Sequence, residues 1–153
     1  SVNLSGSSIN DESFVDFLEE QLKKHPINPR ILCFEITETL AIANLQKAVD
    51  LILKLKKIGC HFALDDFGSG MSSFSYLKHL PVDYLKIDGN FVKEAPTDEV
   101  LCAMLQSINN IGHIMGLETI AEYVENPAVL EKVQALGIDY AQGYAISRPQ
   151  PLL

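Results

Sequence analysis

Short, largely apolar runs alternate along the chain with longer stretches whose apolar residues recur every three or four positions. The runs stand at Val2 to Leu4, Ile31 to Ile36, His61 to Leu64, Tyr84 to Ile87, Leu117 to Ile120 and Ile138 to Ala141. Their length and near-continuous apolarity predict strands covered on both faces. Between them, Phe14, Phe17, Leu18 and Leu22, then Leu45, Val49, Ile52, Leu53 and Leu55, then Val100, Leu101, Met104, Leu105 and Ile108, and finally Val129, Leu130 and Val133 keep helical spacing. Asn10 and either Thr97 or Asp98 stand where N-caps are expected, and Gly59, Gly116 and Gly137 where helices should stop. The alternation predicts an α/β fold of parallel strands covered by helices. No linker, charge block or low-complexity tract divides it, so one domain over residues 1–153 is expected.

Composition narrows the chemistry. With 47% hydrophobic and 21% charged residues, the 153-residue chain is globular in type and long enough for a sizeable core. Its net charge of −8 argues against a surface that tracks a nucleic-acid polymer. An acidic chain that acts on a phosphate ester needs cations to offset its own field. Cys33, Cys60 and Cys102 are odd in number and lack CxxC spacing, which predicts buried thiols in a reducing compartment. His25, His61, His79 and His113 form no HxH or HExxH pattern and read as surface or packing residues. No apolar run approaches the ~20 residues of a membrane span, and no leader opens the chain.

Polar residues gather where the strands should end. Asn3 and Ser5 follow the first, Glu35 and Glu38 the second, Asp65 and Asp66 the third, Lys86 and Asp88 the fourth, Glu122 and Glu125 the fifth, and Gln142 the sixth. One such group would only cap the next helix, but six sets in register resemble the active face of a parallel α/β barrel. Asp65 and Asp66, adjacent just before Phe67-Gly68-Ser69-Gly70, would repel each other unless a positive charge lay between them. The simpler reading is an N-cap followed by an acidic first turn. Carboxylates with an amide oxygen are hard ligands suited to Mg²⁺ or Mn²⁺, and a shared carboxylate allows two ions about 3.5–4 Å apart. A lysine among these acids is by default an ion-pair partner; as a functional group it would orient a water or offset developing charge. No GxxxxGK[ST] loop is present.

These segments carry a family resemblance. Val2-Asn3-Leu4-Ser5, Phe34-Glu35-Ile36-Thr37-Glu38, Leu64-Asp65-Asp66-Phe67-Gly68-Ser69-Gly70, Leu85-Lys86-Ile87-Asp88, Ile120-Ala121-Glu122-Tyr123-Val124-Glu125 and Gln142-Gly143-Tyr144 resemble the successive motifs of the EAL domain. That bacterial signalling family hydrolyses the second messenger cyclic di-GMP to linear pGpG. The resemblance spans essentially the whole chain and implies a TIM-like (β/α)₈ barrel, here incomplete, with about six of eight strand-helix units. It implies that Asn3, Glu35 and Asp65 hold one metal and that Asp65, Asp66 and Glu122 hold a second. Glu122 would also help deprotonate the water, Lys86 would position it, and Asp88 would support Lys86. Glu38 would steady the loop bearing Asp65 and Asp66. On the substrate side it implies Gln142, Ser5 and Asp66, with Ser147, Arg148 and Pro149 at the guanine edge.

Two departures stand out. The Glu-Ala-Leu motif itself does not occur, and the chain opens at what would be the third barrel strand, so two strand-helix units, on the order of 80 to 100 residues, are expected upstream. Alone, the 153 residues are expected to hydrolyse cyclic di-GMP negligibly and to leave open edges at Val2 to Leu4 and Ile138 to Ala141. Tyr123 also stands where the family usually has Gly, with an effect that depends on its dihedrals. The resemblance further implies a cytoplasmic domain, in a parent protein that is either soluble or membrane-anchored, with a sensor or GGDEF-type domain upstream. It places a homodimer interface at Asp66 to Leu80, where Phe67, Met71, Phe74, Tyr76 and Leu77 cluster, although a core-facing helix over Ser72 to Leu80 explains the same cluster. Three functions compete: a phosphodiesterase, a cyclic di-GMP receptor without catalysis, and a Mg²⁺-dependent barrel that abstracts a proton beside a carboxylate. Glu35, Asp65, Lys86 and Glu122 are all present, which favours the first over the second.

Overall fold

The computed structural model describes residues 1–69 and 74–151. The chain divides into two compact units, Ser1–Asp65 with Gly70–Asp83, and Asp66–Ser69 with Tyr84–Leu153. Gly70, Met71, Ser72 and Ser73 of the expected loop and helix lie outside the described residues.

In the first unit, β1 (Val2–Asn3), β2 (Cys33–Thr37) and β3 (His61–Phe67) are parallel neighbours in chain order, with the last two residues of β3 belonging to the second unit. The helices are α1 (Gly6–Asn10), α2 (Phe14–Lys24), α3 (Glu38–Ala43) and α4 (Leu45–Ile58). On α4, Ala48, Leu51, Ile52 and Leu55 repeat at helical spacing and are all buried. Each fully buried Leu or Phe contributes about 1.5–3 kcal/mol, and Leu55 and Phe62 both have no exposed surface. Gly59 ends α4 at φ 108°, a left-handed position that its missing side chain makes cheap. The rings of Phe14, Phe34 and Phe62 pack in series, with centroids 6.1 and 5.7 Å apart. The stripe on α2 is otherwise thinly covered, and Phe17 is 55% exposed.

The second unit carries β4 (Tyr84–Ile87), β5 (Glu118–Ala121) and β6 (Tyr140–Ala141), again parallel and in chain order, with α5 (Gly89–Glu94), α6 (Glu99–Ile114) and α7 (Pro127–Ala135). Asp98 caps α6, accepting from the N–H groups of Val100 and Leu101. Gly116 and Gly137 follow α6 and α7 with positive φ, as expected of stop residues.

Each unit ties a strand at its leading end with an aspartate. Asp83 accepts the Phe62 N–H at 2.9 Å and pairs with Lys56 at 2.6 Å. Asp139 accepts the Thr119 N–H at 2.7 Å and meets His113 Nε2 at 2.8 Å. Burial pushes the Asp139 carboxyl up, but the Thr119 N–H, His113 and the Thr119 hydroxyl outweigh it and hold it below its ordinary value.

Several boundaries differ from expectation. Ile31 belongs to a 3₁₀ turn, Pro29–Ile31, because Pro29 fixes φ at its start. Asn10 ends α1 instead of capping α2, whose preceding turn is closed by Asp11 accepting from the N–H and hydroxyl of Ser13. Ile138 is buried but precedes β6, and in the span expected to be helical the described residues hold a 3₁₀ turn, Leu77–His79. Cys60 is buried as expected, whereas Cys33 and Cys102 are half-buried; among the described residues none forms a disulfide. No helix among the described residues is long and apolar enough to cross a membrane.

Candidate active site

The first unit contributes one polar face. In a parallel sheet, residues in register point to the same side and the direction repeats every second residue. Asn3 pairs with Glu35, and Glu35 with Ala63, so Asn3, Glu35 and Asp65 share a face. Glu35 is 7% exposed, while Asn3 is open to solvent. Glu38, the first residue of α3, is buried and accepts a hydrogen bond from the hydroxyl of Tyr76. Tyr76 was legible only as part of an apolar cluster; its 38-residue separation from Glu38 gave no local signal of the contact. Ser5, also exposed, caps α1 by accepting from the Ser8 N–H.

Asp65 and Asp66 do not cap a helix. Both lie within β3, which continues to Phe67. Consecutive strand residues normally point to opposite faces, but Asp66 has φ 55°, and this left-handed backbone breaks the alternation. Gly68 follows at φ 95° with Phe91 pressed against it, so that a Cβ there would lie 2.6 Å from Phe91 Cε2. Only glycine satisfies both the dihedral and the contact.

In the second unit the same register argument groups Lys86, Glu122 and Gln142. Lys86 pairs with Ile120, two residues before Glu122, and Ile120 pairs with Tyr140, two before Gln142. The Lys86 Nζ lies 2.9 Å from Glu122 Oε1, with both side chains almost fully buried. A carboxylate oxygen of Asp66 comes within 4.8 Å of one on Glu122. Two carboxylates this close are a costly arrangement that a divalent cation relieves, and the oxygen-only donor set fits Mg²⁺ or Mn²⁺. Gln142 is fixed through its backbone: its N–H donates to Ala121 and its carbonyl accepts from Val124. Asp88 caps α5 through the Asn90 N–H at 2.7 Å and donates its own N–H to Phe67 O. Arg148 stacks on the Tyr144 ring, 5.0 Å from its centroid, and Arg148, Pro149 and Glu125 are exposed. Of the apolar cluster expected at an interface, Phe67 and Leu77 are 2% exposed and Phe74 is 38% exposed; Met71 lies outside the described residues.

Comparison with known proteins identifies the family and the fold. The family model described as "EAL domain" matches residues 1–149. The chain is 49% identical over 152 residues to the cyclic di-GMP phosphodiesterase PdeB of Shewanella oneidensis, covering 99% of this chain and 18% of that protein. It is 40% identical to the cyclic di-GMP phosphodiesterase PdeA of Borreliella burgdorferi, covering 99% of this chain and 23% of the relative. The chain thus spans about a fifth of the length of these curated relatives. Among solved structures, it is similar to the phosphodiesterase PaMucR in its c-di-GMP complex, with TM-score 0.90, 35% identity, and coverage of 98% of this chain and 61% of that one. It is equally similar in fold to the FimX EAL domain of Pseudomonas aeruginosa bound to c-di-GMP, with TM-score 0.92, 32% identity, and coverage of 97% and 61%. Its α/β fold class is the TIM-barrel-like one of these domains. By the motif order, the parallel strands and these matches, the chain belongs to the EAL domain family.

Proposed function

We propose that residues 1–153 form part of one EAL domain that hydrolyses cyclic di-GMP to pGpG with Mg²⁺ or Mn²⁺. The observation that carries this reading is the buried Lys86–Glu122 pair with the Asp66 carboxylate beside it. Asn3, Glu35, Asp65, Asp66 and Glu122 would hold two divalent cations, which supply an activated water and offset the phosphate charge. The water oxygen bonds to phosphorus, the P–O3′ bond breaks, and the 3′-oxygen leaves, taking a proton from solvent. Glu122 Oε1 receives the proton of the attacking water. Lys86, bonded to that oxygen, orients the water and donates to the charge that develops on the phosphoryl oxygens. Glu38 and Asp88 act one step back, Glu38 by steadying the β3 turn and Asp88 by fixing the exit of β4. Gln142, Ser5 and Asp66 hold the substrate, with Arg148 and Pro149 at a guanine edge. The same reading carries a cytoplasmic location, an upstream sensor or GGDEF-type domain, and a homodimer through Asp66–Leu80.

Chromatography of cyclic di-GMP incubated with a full-length chain that carries the complete domain tests it. pGpG should form with Mg²⁺ or Mn²⁺ and not in EDTA, and Asp65→Asn or Glu122→Gln should lower turnover by about a hundredfold or more, since each removes several kcal/mol of transition-state stabilisation. Turnover within about threefold of the parent in either variant would sink the two-metal assignment. Calorimetric binding of cyclic di-GMP without turnover would instead select a receptor.

A further inference from the structure

Among the described residues, two other than glycine adopt left-handed backbone: Asp66 at φ 55° and Tyr123 at φ 52°. Both belong to the second unit, and each stands at or beside one of its site acids, since Tyr123 directly follows Glu122. A side chain keeps this conformation only where its surroundings enforce it. For Tyr123 the enforcing contacts are specific. Its ring lies on Gly89, where a Cβ would fall 2.3 Å from the ring's Cδ2. The Lys93 ammonium covers the same ring at 4.2 Å from its centroid. The Tyr123 hydroxyl makes no hydrogen bond among the described residues, so the ring is the part engaged.

Gly89 and Lys93 both belong to α5, the short helix capped by Asp88. From the same helix Phe91 presses on Gly68, two residues after Asp66. One six-residue helix therefore braces both acid-bearing turns. Burial does not explain the ring's place, because Tyr123 remains 53% exposed and hides little apolar surface. What the contact does fix is the backbone between Glu122 and Val124, whose N–H and carbonyl bond to Gln142 and Ala145.

We propose, building on the phosphodiesterase reading above, that Tyr123 is a positioning residue: its ring, seated on Gly89 beneath Lys93, holds the turn that aims Glu122 at Lys86 and Asp66. Tyr123 touches none of the reacting atoms in this role. It acts through the direction of Glu122.

The test compares the full-length parent with Tyr123→Gly and Tyr123→Phe. Glycine accepts the left-handed dihedral but removes the brace, whereas phenylalanine keeps the ring. Tyr123→Gly should lower kcat for cyclic di-GMP by about tenfold while KM changes by less than about twofold, as expected when a reacting group is misdirected. By calorimetry without substrate, its Mn²⁺ affinity should weaken about fivefold, since Glu122 is a proposed ligand. Tyr123→Phe should stay within about twofold of the parent in both measurements. Tyr123→Gly matching the parent in kcat and Mn²⁺ affinity would overturn the inference and leave the functional reading standing. Equal losses in Tyr123→Phe would also overturn it, by assigning the effect to the hydroxyl. A parent that neither binds Mn²⁺ nor turns over substrate would overturn the functional reading and this role together; if it binds Mn²⁺ without turnover, the calorimetric comparison alone decides.

Discussion

Removing either partner of the Lys86–Glu122 pair takes a close opposite charge from the other, but the two removals should not cost the same. The charges lie 2.9 Å apart with 4% and 9% of their side chains exposed. At an effective dielectric constant of 20 their attraction is about 6 kcal/mol, being 332/(20 × 2.9). Asp66 opposes it: an oxygen within 4.8 Å of Glu122 repels that carboxylate by at least about 3.5 kcal/mol on the same basis. Glu122→Gln loses the attraction and is relieved of the repulsion, a net cost of at most about 2 kcal/mol by this reckoning. Lys86→Met loses the attraction and keeps the repulsion, which places it in the range of about 3–5 kcal/mol known for broken buried pairs. Urea unfolding of the full-length chain and both variants at neutral pH in EDTA should therefore rank the parent first, Glu122→Gln second and Lys86→Met last. Added Mn²⁺ should raise Lys86→Met more than Glu122→Gln, because only the former keeps both carboxylates. Glu122→Gln proving the less stable variant in EDTA would refute the claim that the acids repel each other.

Two further outcomes follow from single contacts. The Asp139 carboxyl is held below its ordinary value of 3.8, so the stability it contributes is present above that pH and is lost as pH falls through its lower folded-state value. The fall in urea midpoint from pH 6 to pH 3 should be shallower in Asp139→Asn, and an unchanged slope would count against it. Tyr76→Phe removes a donor from the buried Glu38 carboxylate and should cost about 1–3 kcal/mol in urea unfolding. A change below about half a kcal/mol would show that Glu38 does not depend on it.

The alternation of strands and helices was legible because α4 and α6 follow the helical period closely and the strands are short, near-continuous apolar runs. The short helices α1 and α5 were not, since five or six residues show too little of a helical period to register. The expected third strand stopped at Leu64 because acids rarely continue a buried strand, yet Asp65 and Asp66 both ride it. In the site, residue types and strand-end positions were readable, and so was Tyr123 as an open question about dihedrals. Its left-handed backbone, its seat on Gly89 and the bond from Tyr76 to Glu38 all depend on parts of the chain that meet only after folding.

The aspartates that precede β4 and β6 have a consequence for how this sequence can vary. Val82-Asp83-Tyr84 and Ile138-Asp139-Tyr140 repeat one device, a carboxylate clasping the first residues of the preceding strand from below. The clasps sit where strands begin, and the chemistry-bearing acids sit where strands finish. Register is thus secured at one extremity while the other is left to carry repulsive charge and bent backbone. The two ends form separate mutational territories: changes at the clasps act on strand register, and changes at the opposite rim act on the charges and bends gathered there.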